Sequence, residues 1–166
     1  MGTSRRRILI YRIGSLGDTI IALPVFHQVL ETFPDADITL LTNKPVVSKA
    51  APVESILGGG YFFHRVLNYP TGTRNPLVLF SLIKQIRALK IDTVINLATT
   101  RILKDVEATK RAVRRDKWFF RAAGVRELIG FPELAEDFEL STDRATGAYE
   151  WEAKRLARRL KLLGDI

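Results

Sequence analysis

Apolar residues recur along this chain at two different spacings, and the alternation between them predicts the architecture. Residues 8–13 form a nearly unbroken apolar run rich in isoleucine, without the polar alternation of a half-exposed strand. That is the pattern of a strand covered on both faces. Past Asp18 the spacing changes. Leu23, Phe26, Leu30 and Phe33 recur at three and four residues, a helical stripe that stops before Pro34. Pro24 lies inside this stripe and predicts a kink or a tight first turn. Residues 37–42 (DITLLT) predict a second strand, punctuated by Asn43, Lys44 and Pro45, with a short helix over 46–51. A third strand is expected over 61–69, after the glycine run 58–60. Pro76 opens a helix through residue 89 with Leu79, Leu82, Ile83 and Ile86 on one face. A fourth strand over 92–97, a helix over 104–123 and a short fifth strand over 126–131 follow. Residues 132–147 read as a loop, and 148–163 as a helix burying Ala153, Leu156, Leu160 and Leu163.

Strands that alternate with helices and lack a polar face imply a parallel sheet with helices on both sides. The expected fold class is therefore α/β, a Rossmann-like sheet in one domain spanning residues 1–166. A hydrophobic content of 46% over 166 residues is enough for one such core.

Composition narrows the chemistry. The chain has no cysteine, which excludes disulfides and thiolate metal sites. His27 and His64 are far apart with no carboxylate pattern between them, so no metal site is expected. No run approaches the roughly 18–20 apolar residues of a membrane span. The basic start MGTSRRR is followed by a run too interrupted for a signal peptide, and cytoplasmic placement is the default expectation. The net charge of +8 is uneven: residues 101–121 hold eight Lys/Arg against three Asp/Glu, and 149–163 hold five against two. Such stretches attract nucleic acid, phosphorylated substrates or an acidic membrane face, and equally describe the solvated sides of two amphipathic helices.

Between the first strand and the first helix stands G-S-L-G-D, residues 14–18. Ligands of parallel α/β sheets bind beyond the carboxyl ends of the strands, where this loop falls. The dinucleotide fingerprint G-x-G-x-x-G fails on spacing, no acid closes the second strand, and G-x-x-x-x-G-K-[ST] is absent. Asp18 is then an N-cap for the helix, a general base at the ligand edge, or both.

The stretch ILIYRIGSLGDTIIALPVFHQVLETFPDADITLLT resembles the opening of glycosyltransferase family 9, the heptosyltransferases of lipopolysaccharide core assembly: a strand, an R-x-G-x-x-G-D loop, a helix bearing L-P and an FPDA-type second strand. DTVINLATTR, FFRAAGVRELIGF and EWEAKRLARRLKLLGD extend the similarity. The resemblance implies one half of a GT-B architecture: the N-terminal, acceptor-side domain of an inverting, metal-independent enzyme. It implies Asp18 as catalytic base, with Gly14, Ser15, Leu16 and Gly17 shaping the acceptor loop. It further implies a nucleotide-sugar donor such as ADP-heptose as co-substrate, rather than a bound cofactor. The donor-binding C-terminal half is absent from the chain, so a partner chain or missing domain would have to supply it, and efficient turnover alone is not expected.

Other residues at the same edge are candidates for the acceptor. Arg12 follows the first strand, where it either contacts an acceptor phosphate or pairs with a local acid. Thr99, Thr100 and Arg101 follow the fourth strand, with Arg101 a phosphate-binding candidate or a solvated helix-start residue. Lys104, Lys110, Arg111, Arg114, Arg115 and Lys117 face either an anionic glycolipid acceptor at the inner membrane surface or plain solvent. Trp118, Phe119 and Phe120 beside arginines would suit nucleic-acid stacking, but an amphipathic helix anchored by aromatics explains them more simply. The alternatives to an enzyme domain are a non-catalytic module for an anionic glycan or membrane surface, and a small nucleotide- or nucleic-acid-binding domain.

Overall fold

The structure is a computed structural model describing residues 5–43, 57–70, 72, 75–98, 106–133, 137, 142 and 145–163. Five parallel strands form one sheet: β1 (Arg7–Tyr11), β2 (Asp37–Asn43), β3 (Arg65–Tyr69), β4 (Thr93–Asn96) and β5 (Glu127–Ile129), in the order β3-β2-β1-β4-β5. The order reverses direction between β1 and β4, which places a crevice at the carboxyl ends of these two strands. The helices are α1 (Leu16–Ile21), α2 (Leu23–Thr32), α3 (Pro76–Ala88), α4 (Val106–Ala122) and α5 (Glu152–Arg158), followed by a 3-10 turn at Lys161–Leu163.

The unbroken apolar character of β1 has a direct structural reason, because successive side chains serve opposite layers. Ile8 and Ile10 join Phe26 and Val29 of α2 and Leu156 in α5, with Leu160 just beyond it, on one side of the sheet. Leu9 and Tyr11 join Leu82 and Ile86 of α3 and Phe120 of α4 on the other. These four of the five β1 residues are at most 5% exposed, which is why they are aliphatic or aromatic.

Several expected boundaries move inward. The first helix is two helices, interrupted at Ala22, with Pro24 in the first turn of α2. Proline has no N–H to contribute and is tolerated there, so the kink expected from the sequence is a clean break. The third strand starts at Arg65 rather than residue 61, because Gly60 N–H instead donates back to the Phe63 carbonyl, 2.9 Å, in a turn. The last helix starts at Glu152, four residues later than its apolar pattern suggested, and Tyr149 forms an isolated antiparallel bridge with Thr142. The helix expected over 46–51 lies outside the described residues.

Charged contacts fasten the amino ends of the strands. Arg65 Nη1 donates to both Asp37 oxygens at 2.8 and 2.7 Å, and Arg7 N–H donates to Asp92 Oδ2 at 3.0 Å. The Arg65 hydrogen bonds hold the Asp37 carboxyl below its ordinary value of 3.8, with burial acting the other way. A carboxyl lowered by folding stabilises the native state above its unfolded pKa, and this stabilisation disappears as pH falls through the folded value. Arg65→Gln is therefore expected to lower unfolding free energy at pH 7, by about 1 kcal/mol or less for so exposed a pair. It should also flatten the loss of stability below about pH 4, as read by urea titrations across pH.

Gly130 closes β5 at φ 73°, and a Cβ there would lie 2.9 Å from the Asn96 carbonyl oxygen and 2.8 Å from Leu160 Cδ2. The leucine can move; the backbone carbonyl cannot without disturbing β4. Gly130→Ala should cost about 1–3 kcal/mol in chemical denaturation.

Candidate active site

The chain leaves β1 at Tyr11 and is at once tied to its neighbours. Arg12 N–H donates to the Leu41 carbonyl at 2.9 Å, and Gly14 N–H donates to Asn43 Oδ1, also 2.9 Å. On the other side of the crevice Leu97 N–H donates to the Tyr11 carbonyl at 2.8 Å. The Arg12 guanidinium completes the link: it is fully buried and its Nη1 donates to the Leu97 carbonyl at 2.5 Å. The loop after β1, the end of β2 and the first residue after β4 are thus one hydrogen-bonded unit.

Ser15, not Asp18, is the N-cap of α1. Its hydroxyl accepts from Asp18 N–H at 3.2 Å, while Asp18 Oδ2 accepts from Ser15 N–H at 2.7 Å and from the Ser15 hydroxyl at 2.8 Å. This is a capping box, with Asp18 at the third helical position in place of the usual glutamate. The sequence expectation of Asp18 as the cap is corrected by three positions: the shorter serine satisfies the orphan amide, and the aspartate folds back over it. Gly14 permits this closure, since a Cβ there would fall 2.9 Å from Asp18 Oδ2. Gly17 has open space around it, with only Ser15 Oγ within 4 Å of a notional Cβ at 3.8 Å.

Asp18 is half-buried, and it acts electrostatically on Arg12. Burial lowers the Arg12 pKa below its ordinary value; the charges of Asp18 and Glu152 oppose that shift, and Arg155 adds to it. Glu152 and Arg155 belong to α5, and Arg155 Nη2 donates to Glu152 Oε1 at 2.7 Å. Arg159, one turn on, donates from Nε to the Gly130 carbonyl at 2.8 Å and from Nη2 to the Asn96 carbonyl at 2.8 Å. Burial pushes the Arg159 pKa down to about 10, so it stays cationic at neutral pH.

Arg12, Gly14, Ser15, Leu16, Gly17 and Asp18 therefore share one loop and helix start at the crevice. Thr99, Thr100, Arg101 and Lys104 lie outside the described residues; Ala98, just before them, accepts from Arg159 Nη1 at 3.3 Å. Arg12 is enclosed rather than displayed, so its observed role is to join the two loops. The sequence reading missed Asn43, Glu152, Arg155 and Arg159. Asn43 had a signal, a polar residue ending an apolar strand opposite the glycine loop. Arg155 and Arg159 had none, because arginines flanking a leucine stripe normally face water; here they are 4% and 9% exposed.

On the opposite face of the sheet, Tyr11, Tyr69, Asp116 and Arg115 cluster at the same strand ends. The Tyr11 and Tyr69 rings are 5.8 Å apart, and Arg115 Nη2 lies 3.1 Å from Asp116 Oδ1. Burial pushes the Asp116 carboxyl up, against the lowering effect of Arg115. Burial, then the Asp116 charge, raises the Tyr11 phenol well above 10.0. Among the described residues no group of His, Cys, Asp or Glu is placed to hold a metal ion. Among them, too, no helix is long and apolar enough to cross a membrane.

No protein-family model matches the chain. No curated protein sequence matches it either. Among solved structures, the crystal structure of the glycosyl transferase family 9 from Veillonella parvula DSM 2008 is similar over 100% of this chain, with a TM-score of 0.60 and 16% identity. The chain therefore shares a Rossmann-type α/β fold with that structure. The chain spans 44% of that structure's length, as a half-sized unit would.

The capping box yields a direct test. Ser15→Ala removes the cap and one hydrogen bond to Asp18, and should cost about 1 kcal/mol in denaturant unfolding. Ser15→Thr, which keeps the hydroxyl, should recover most of that loss.

Proposed function

We propose that this chain is the acceptor-binding domain of an inverting, metal-independent glycosyltransferase of the heptosyltransferase type, with Asp18 as its general base. The observation that carries the reading is the Asp18 carboxylate held by the capping box at the crevice between β1 and β4. The shared fold with a glycosyl transferase family 9 structure supports it.

In this reaction an acceptor hydroxyl oxygen attacks the anomeric carbon of a nucleotide sugar. The new C–O bond forms as the bond to the nucleotide phosphate breaks, and the configuration inverts. The hydroxyl proton passes to Asp18, a transfer typically worth about 10²–10⁴ in rate. The two hydrogen bonds from Ser15 to Oδ2 fix the carboxylate plane, so that proton uptake needs little rearrangement. Gly14 and Gly17 keep the approach free of side chains. Arg12, buried behind the loop, supplies a fixed positive charge near the carboxylate and acts by positioning rather than by touching substrate. The acceptor in this reading is an anionic glycolipid of lipopolysaccharide core assembly, with Thr99, Thr100 and Arg101 contributing from the loop after β4. The donor is a nucleotide sugar such as ADP-heptose, held by a second domain or partner chain, without which turnover is not expected.

Amide chemical-shift mapping with a lipid-free phosphorylated core oligosaccharide, and separately with a nucleotide sugar, tests this assignment. The expected result is shifts confined to residues 14–18 and the loop after β4 with the oligosaccharide, and none there with the nucleotide sugar. Shifts with the nucleotide alone would instead make this a nucleotide-binding domain.

A further inference from the structure

The chain enters α5 through a short extended segment that the proposed site leaves unused. Tyr149 makes the antiparallel bridge with Thr142, and Trp151 has extended backbone angles, φ −66° and ψ 141°. Extended backbone sends successive side chains to opposite sides. Glu150, between the two aromatics, turns inward. Its side chain is 4% exposed, and its carboxylate accepts from Arg158 Nε at 3.3 Å and from Nη2 at 3.0 Å. This two-point ion pair anchors the segment from within. Tyr149 and Trp151 are thereby displayed on the other side, 71% and 82% exposed, with Cβ atoms about 7 Å apart.

The segment stands at the crevice. Glu152, the next residue, acts on the buried Arg12 charge, as Asp18 does from α1. From there the chain descends along the sheet. Arg159 reaches the Asn96 and Gly130 carbonyls, and the Leu163 carbonyl accepts from the Thr32 hydroxyl at 3.3 Å, at the far end of α2. The two rings therefore mark the mouth of the crevice on the α5 side.

An exposed indole and phenol present the negative faces of their quadrupoles. The C–H bonds on one face of a pyranose are slightly positive and form an apolar patch, so a sugar stacks on such a ring while its hydroxyls stay free for hydrogen bonds. Two rings at this separation suit two successive sugars of an oligosaccharide. Nucleic-acid bases also stack on aromatics, but their backbone draws on unbalanced cations beside the rings. Here Glu150 pairs with Arg158 and Glu152 with Arg155, so these pairs add no net charge. A protein partner would call for a contiguous apolar patch, whereas the residues between and after the rings, Glu150, Glu152 and Lys154, are charged.

We infer that Tyr149 and Trp151 form a stacking platform for two successive sugar rings of a bound glycan, at the mouth of the crevice that holds Asp18. That this glycan is the acceptor of the transfer rests on the function proposed above; the platform itself rests on the display of the two rings. Sugars stacked there sit beside the crevice without touching the carboxylate, and they are selected by ring face rather than by charge.

The test uses the 166-residue chain with a lipid-free core oligosaccharide, phosphorylated and dephosphorylated, and with poly(U) RNA. Trp118→Phe leaves Trp151 as the only tryptophan. Its emission is expected to move to shorter wavelength and saturate with both forms of the oligosaccharide, and to stay unchanged with poly(U). In amide-shift titrations Trp151→Ala and Tyr149→Ala should each raise Kd about tenfold, the scale of one stacked ring, while Trp151→Phe should stay within about threefold of the parent. Trp151 caps α5 without a side-chain hydrogen bond, so its replacement should leave the fold intact, as read by circular dichroism. Shifts at residues 14–18 with parent-like Kd in a folded Trp151→Ala variant would overturn the platform and leave the Asp18 assignment standing. Emission and Kd effects without shifts at 14–18 would uphold the platform and overturn that assignment. No response at either place overturns both. A response to the phosphorylated form alone, or to poly(U) in place of the oligosaccharide, would also overturn the inference.

Discussion

A parallel sheet ends in carbonyls that no further strand can satisfy, and burying that end under a helix makes their hydrogen bonding obligatory. Here arginine supplies the donors. Arg12 takes the Leu97 carbonyl, and Arg159 takes those of Asn96 and Gly130. Guanidinium is suited to this task because it spreads several donors over a plane and stays charged when desolvated. The cost of burying such cations is reduced by acids brought from two separate elements, Asp18 in α1 and Glu152 in α5. The crevice at the strand reversal is thus a closed polar assembly. The acidic side chain at its mouth is part of the assembly that holds the sheet's end together.

That double use explains the local sequence. Ser15 must be short to cap α1, Gly14 must lack a Cβ to admit the Asp18 carboxylate, and Asn43 must reach back across the β2 end to hold the Gly14 amide. None of these residues packs in the apolar core. Their identities follow from geometry within a few ångströms, whereas the core positions of β1 follow from being covered on both sides.

The same contrast governs what was readable from the residues alone. Apolar spacing predicts every described strand and places the helices on both faces, because burial imposes periods of two and 3.6 that survive in the sequence. It does not locate the break at Ala22 or the true start of the last helix, where single hydrogen bonds decide. The loop at residues 14–18 was recognisable as a ligand-edge feature from its glycines, but not which residue capped the helix. Arg155 and Arg159 were invisible: their inward orientation depends on strand ends distant in the chain, and nothing in their own neighbourhood distinguishes them from solvated arginines. Aromatic contacts such as Tyr11 with Phe120, at 5.1 Å between centroids, likewise become evident only when the layers are assembled.

The break at Ala22 leaves α1 as a six-residue helix whose single fully buried side chain is Thr19. Its position depends on the capping box and the loop hydrogen bonds, while α2 is anchored by Val25, Phe26 and Val29 in the core. Such an element belongs to the low-stability end of a protein's local opening spectrum. The carboxylate can therefore lose its placement through a local opening that leaves the sheet intact. The placement of Asp18, on this view, has a narrower tolerance than the fold, and the domain can remain folded while the geometry of the 14–18 loop is already lost.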